Sequence, residues 1–364
     1  MSGARRLLVW RLIPLLALLV AVAAFAAGDR LAAWGPVLPL VEFIVLIGGV
    51  FASVHHADVI AHRTGEPYGT LVLTVAVTII EVALILSIML AGGGNPELVR
   101  DTVFAVIMIV CNGLVGLCLI VGGFRYGEQG FQLPGTNAYF VVLMPMATLT
   151  LILPTYTVSA AGPFYTWTQL GVVSAITLAL YGVFLYVQTI RHRDYFLSDG
   201  GDGPAIGEKA PPTMRKVWES IGLLLLALSA VVLLAKSFAG SVEATVTALG
   251  APKASVGLLV ALLVLLPETL AALKAARLND LQKSLNLALG SSLATIGLTI
   301  PAVSLLAVLL DQPLALGLGM RDTILLVLTF GVSLVTFGGG RTNILPGFVH
   351  LVQFVIFVFL IFAP

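Results

Sequence analysis

Charge is what this sequence lacks most. Only 10% of its 364 residues are Asp, Glu, Lys or Arg, where a soluble domain carries about 25%. That shortage excludes a large soluble domain, because too few charges remain to wet its surface. The formal charge is +1, so nothing in the balance points to a nucleic-acid partner. Cysteine is nearly absent: only Cys111 and Cys118. Seven residues along a helix is about 10 Å, beyond the roughly 7 Å that a disulfide spans between Cα atoms. The two therefore read as small packing residues that do not bond to each other. "FGGGRTN" (337–343) has a run of glycines but lacks the GK[ST] of a phosphate-binding loop, and it follows no strand. No ATP site is legible.

Apolar residues are what is abundant. They make up 59% of the chain, and the mean hydropathy is +1.06. Runs of about 20 such residues match the thickness of a bilayer core. Eleven are found, near 7–27, 34–54, 69–91, 101–123, 138–161, 169–188, 217–238, 254–276, 284–309, 322–338 and 344–363. The fold expected is an all-α polytopic membrane protein, with the lipid bilayer as its surroundings. The start, "ARRLLVWRLIPLLALLVAVAAFAAGD", has the look of a secretory signal. Arg11 interrupts it and its apolar part is long for one, so it reads as a retained first helix. Either reading puts the next loop outside. With the N-terminus inside, 14 of the 19 Lys and Arg fall on the cytoplasmic side, which favours a cytoplasmic N-terminus and an outer C-terminus in a cell's inner membrane.

A polar linker at 189–216, rich in Gly and Pro, divides the chain. Before it lie the extra helix (1–33) and five helices (34–188); after it lie five more (217–364). "GTLVLTVAVTIIEVALIL" aligns over "VGLLVALLVLLPETLAAL", with Glu81 on Glu268. Each glutamate is on the second helix of its five, and five crossings separate them. An odd number means that the two helices run in opposite directions, the mark of an inverted repeat.

Glu81 is 12 residues past Gly69, about 18 Å along a helix and near the middle of a core about 30 Å thick. Glu268 is 14 past Ala254, about 21 Å. A charge at such depth costs about 2.5–3.5 kcal/mol. It must be neutral, paired, or facing a wet cavity. No Lys or Arg lies at this depth, so a cation or protons are left to neutralise the pair. Pro267 directly precedes Glu268 and removes a helical hydrogen bond, freeing carbonyls that broken helices offer to ions. Asn112 in the first half, and Asn286, Ser291, Ser292, Thr295 and Thr299 in the second, add hard oxygen donors suited to calcium or sodium. Thr74 and Thr78 share a helical face with Glu81. Gly113, Gly116, Gly290 and Gly297 permit close helix approach.

Two like charges in a low dielectric repel, and burial disfavours ionisation; both favour the protonated carboxyl. Such a pair gains and loses protons as a unit. It can hold a cation or protons but not both fully, and the empty dianion is the costliest closed state. Alternation permitted only when loaded gives cation/proton antiport. No covalent chemistry, enzyme activity or cofactor is called for.

With these residues in view, the chain resembles the cation/calcium exchanger superfamily, and within it the bacterial ChaA-type calcium/proton antiporters. The likeness rests on "HADVIAHRTGEPYGTLVLTVAVTIIEVALI", on "LVALLVLLPETLAALKAARLNDLQKSLNLALGSSLATIGLTIP", and on "RDTVFAVIMIVCNGLVG", "YGVFLYVQT" and "GRTNILPG". It implies ten core helices in two inverted halves plus one extra helix, with Glu81 and Glu268 exchanging cation for protons. It maps the polar positions of the following helix to Asn112 in one half and Ser291 or Ser292 in the other. Relatives of this kind also move sodium or potassium, so the ion stays open between Ca2+ and Na+ or K+. Many carry a strongly acidic linker; here its acids are Asp194, Asp199, Asp202 and Glu208, too few to expect calcium sensing.

His55, His56 and His62, with Asp58 and Glu66, read as a cytoplasmic loop open to a pH-sensing role or to funnelling cations inward. Glu42 reads as lining an outer vestibule or reaching the interface. An intramembrane hydrolase would need a paired acid dyad or a nucleophile with its base; two glutamates could imitate a dyad, but no His or Lys lies at their depth. A cation channel would favour a pore shared among subunits over an internal repeat. The oligomeric state is not legible.

Overall fold

Helices dominate the computed structural model, which describes residues 3–27, 37–64, 68–91, 96–197 and 212–363. Apolar spans leave the backbone no water to bond, so each closes its own hydrogen bonds as a helix. The helices are α1 (Gly3–Ala27), α2 (Val37–Thr64), α3 (Tyr68–Ala91), α4 (Leu98–Tyr126), α5 (Leu133–Thr155), α6 (Trp167–Arg191), α7 (Met214–Ala248), α8 (Ala254–Arg277), α9 (Leu281–Leu309), α10 (Met320–Phe337) and α11 (Ile344–Phe362). The middle of the linker, residues 198–211, and Glu66 lie outside the described residues, as does the side chain of Thr74.

Ends are set by local chemistry. Thr166 and Gln169 form a reciprocal capping box at the start of α6. The Asp280 carboxylate accepts from the Lys283 amide at 3.0 Å to start α9, and the Asn343 side chain accepts from the Leu345 amide at 3.0 Å to start α11. Gly127, at φ +75°, ends α4. α2 runs past its expected end, so His55, His56 and His62 sit on helix rather than in a loop. "FASVHHADVIAHRT" holds no Gly or Pro to stop it.

Compactness groups the helices into two units: 1–95 with 209–256, and 96–208 with 257–364. The first contains α1, α2, α3 and α7; the second contains α4 to α6 and nearly all of α8 to α11. These units interleave the two halves of the chain rather than following them.

In the first unit small residues let helices close up. A Cβ placed on Gly49 of α2 would lie 3.0 Å from Val231 of α7 and 4.0 Å from Ala17 of α1.

In the second unit α4 is the centre: 94% of its most apolar 18-residue stretch is buried, against 28% for the corresponding stretches of α6 and α11. The loops gather at two ends. At one, the Ala315 amide donates to the Pro96 carbonyl at 2.9 Å, and Phe164 bridges Ala315. At the other, Gln129–Gly130 pairs antiparallel with Arg341–Thr342, and the Tyr126 hydroxyl donates to the Arg277 carbonyl at 3.0 Å. α4 and α8 run side by side in the same direction: a Cβ on Gly257 would meet the Thr102 amide nitrogen at 2.9 Å, and their far ends meet at Tyr126 and Arg277. The crossing count requires this, since three helices lie between the two.

Among the described residues four π-helical turns interrupt or end the rods, at Ile109–Leu114, Thr148–Ile152, Val187–Arg191 and Thr295–Thr299. Pro154 and Pro301 follow two of them. A proline lacks the amide that the carbonyl four residues back expects, and a widened turn absorbs the mismatch.

Candidate functional site

Glu81 is buried in α3, 3% exposed, in the first unit. Half-buried Thr78 is three residues before it, so the two share a helical face. Ile80, Leu84 and Ile85 around it are buried and apolar. Glu268 is half-buried in α8, in the second unit. α8 runs through Pro267 as helix, leaving the Leu263 carbonyl without its usual donor. Its far end is fixed by Gln129, whose side-chain nitrogen donates to Asn279 Oδ1 at 2.9 Å and to the Ala276 carbonyl at 3.3 Å.

The remaining candidate ligands all belong to the second unit, in two distinct settings. Asn112 stands in the first π turn of α4 and is fully buried. Its Nδ2 donates to Thr329 Oγ1 of α10 at 2.8 Å, and its Oδ1 faces His350 Nδ1 of α11 at 3.1 Å. An amide oxygen only accepts, so His350 Nδ1 carries the proton. His350 Nε2 then accepts from Thr336, at 3.1 Å, and the Thr329 hydroxyl donates to the Leu325 carbonyl at 2.8 Å. This chain of bonds ties α4 to α10 and α11.

Asn286, near the start of α9, is tied elsewhere. Its Nδ2 donates to the Phe196 carbonyl at 2.6 Å, and its Oδ1 accepts from Gln282 at 2.8 Å and from the Tyr139 hydroxyl at 3.4 Å. Gln188 of α6 donates in turn to Tyr139 at 2.8 Å. Ser291 and Ser292 lie about 8–9 Å further along the helix axis. Ser291 is half-buried; Ser292 is fully buried, and its hydroxyl makes no hydrogen bond among the described residues. Thr295 and Thr299 are buried in the π turn that follows.

A family model described as "Sodium/calcium exchanger protein" matches residues 34–190 and 219–363. The chain belongs to the sodium/calcium exchanger family. It is 49% identical over 331 residues to the y4hA protein of Sinorhizobium fredii, covering 90% of this chain and 89% of that one. It is 39% identical over 341 residues to the sodium-potassium/proton antiporter ChaA of Escherichia coli, covering 91% and 92%. Its fold resembles that of native YfkE, at TM-score 0.74 and 16% identity, covering 98% of this chain and all of that one. It also resembles the H+/Ca2+ exchanger CAX, at TM-score 0.64 and 14% identity, covering 96% and 91%. This exchanger is thus a multi-pass membrane transporter, a cation antiporter of all-α fold with two inverted five-helix repeats and an added N-terminal helix.

The exchanger's polar interior holds more than the sequence reading found. Thr329, Ser333 and Thr336 on α10, and His350 and Gln353 on α11, are buried. Their signal was present: the three hydroxyls recur at helical spacing within one apolar span, and so do His350 and Gln353. Intramembrane polar residues of that kind face the protein interior. Glu42 is buried in α2 and accepts a hydrogen bond from Ser237 of α7. The sequence points to an outer vestibule or the interface; here Glu42 is 1% exposed and met by Ser237 inside the first unit.

Proposed function

We propose that this exchanger exports calcium in exchange for protons by alternating access, with Glu81 and Glu268 as the shared binding groups. The observation that carries the reading is the pair itself. Two carboxylates occupy matching places on the second helix of each inverted half, deep in spans that otherwise favour oil. A doubly negative pair matches a divalent cation, and the same oxygens take protons when the cation leaves. Thr78, Ser291 and Ser292 complete the set with hydroxyl oxygens, and the Ser292 hydroxyl has no competing hydrogen bond among the described residues. Asn112 and Asn286 already engage their side-chain oxygens with protein donors. They join the set by sharing a lone pair, and they hold α4 and α9 in place meanwhile. The protein sits in the cell's inner membrane, with its N-terminus in the cytoplasm.

A second reading keeps the site and changes the ion to sodium or potassium. It is favoured by the 39% identical relative, named a sodium-potassium/proton antiporter. Everted vesicles with an acid interior separate the two. Calcium added outside is expected to release protons from wild type. The Glu81→Gln and Glu268→Gln variants are each expected to insert normally and release at least about 100-fold more slowly, as removal of a charge-stabilising group costs about 2.7–4 kcal/mol. Proton release by sodium or potassium alone transfers the assignment to the second reading. Full exchange in either variant removes that residue from the site.

A further inference from the structure

The first unit contains a polar cavity lined by none of the candidate ion ligands. It opens where the first thirds of α1 and α7 meet the last third of α2, and it measures about 400 Å3. Pockets for small organic ligands begin at about 300 Å3. One wall is built and rigid. Trp10 stacks on His55, ring centroids 4.4 Å apart. His56 is buried and bonded to the Trp10 carbonyl at 3.0 Å and to the Ser220 hydroxyl at 3.4 Å. The rim is cationic. Arg11 is committed to Glu219, at 2.8 Å from Nη2. That leaves Arg215 and Lys216, consecutive, exposed, and lining the same cavity. Neither forms an ion pair among the described residues.

Both cations stand in the first turn of α7, a helix of 35 residues whose N-cap, Thr213, makes no side-chain capping bond. The amide donors of that turn are therefore left for a ligand, and the helix end adds partial positive charge. Forked guanidinium, ammonium and amide donors together fit a phosphate group. The surroundings say what else the ligand carries. Leu12, Leu15, Leu16 and Leu19 of α1 lead away from Arg11 and are 44–66% exposed, so they form an apolar track beginning at the rim. Trp218 is exposed in the first third of α7, as aromatic side chains are at a membrane interface. Basic pockets between transmembrane helices take anionic headgroups in this way.

We propose that this cavity binds the phosphate of an anionic phospholipid, with Arg215 and Lys216 supplying the charge and the acyl chains lying along α1. The lipid joins α1 to α2 and α7. The test is thermal unfolding of the purified full chain in detergent. Short-chain phosphatidylglycerol is compared with phosphatidylcholine and with inorganic phosphate. Phosphatidylglycerol is expected to raise Tm by about 3 °C or more at saturation, and phosphatidylcholine by less than about 1 °C. The R215Q/K216Q variant is expected to match wild type without lipid and to lose the shift. K283Q, which neutralises an exposed lysine outside the cavity, is expected to keep it. An undiminished shift in R215Q/K216Q, or an equal shift from phosphatidylcholine, overturns the site. A shift from inorganic phosphate as large as that from phosphatidylglycerol overturns the lipid and leaves a soluble phosphate as the occupant.

Discussion

Asn112 shows how far a single polar residue can be read. Its depth in an apolar span marks it as costly and interior, and that much is legible from sequence. Direction is not. Sequence periodicity places a side chain on a face, but it does not say which neighbouring helix covers that face. In the structure Asn112 joins Thr329 and His350, from helices more than 200 positions later in the chain. His350 and Gln353 carry the same legible mark of depth and spacing; what the sequence could not show is the tie of His350 to Asn112. Replacing Asn112 by Ala orphans a buried imidazole N–H and removes a donor from Thr329. The expected cost is about 1–3 kcal/mol for each buried group left unsatisfied, read as a lowered Tm in detergent. An unchanged Tm would mean that the network contributes nothing to stability. The glutamates were easier to find, because a carboxylate in oil needs an explanation wherever it points.

Helices as elements were legible almost throughout, since long apolar runs in a bilayer have one solution. The errors lie at ends and inside. α2 continues through three histidines because helical polar residues and loop polar residues look alike without Gly or Pro. The π turns could not be read: only two have a following proline, and the others depend on tertiary packing. Glycines are intermediate. All four singled out were expected to let helices approach, yet they differ in the structure. A Cβ on Gly116 would lie 2.9 Å from the Gly347 carbonyl oxygen of α11, and one on Gly297 would lie 2.6 Å from the Tyr181 side chain of α6. One on Gly290 would find only Tyr139, at 3.9 Å. Gly116→Ala and Gly297→Ala are therefore each expected to destabilise by about 1–3 kcal/mol. Gly290→Ala is expected to be neutral or to stabilise by up to about 1 kcal/mol, since Ala is the better helix former. Equal effects at the three positions, measured by thermal unfolding, would contradict these packing distances.

At the scale of the whole molecule, direction and compactness divide the chain in different ways. Chain direction follows from counting crossings, and it holds inside each unit. α4 and α8 run parallel, and the start of α1, the end of α2 and the start of α7 share one end of the first unit. Compactness groups first helices together across the halves, which no sequence pattern announces, because burial depends on partners remote in the chain. The proposed function rests on the first of these divisions, in the symmetry that gives each half one deep glutamate. If cation and protons compete for those two carboxylates, then binding the cation must expel protons, whether or not transport completes. The most direct measurement is proton release on calcium addition to the purified, weakly buffered protein near neutral pH. Wild type is expected to acidify the solution in proportion to calcium bound, while Glu81→Gln and Glu268→Gln each fold normally and release few or no protons. Calcium binding without proton release in wild type, or release undiminished in both variants, would contradict the claim that the two ions share these oxygens.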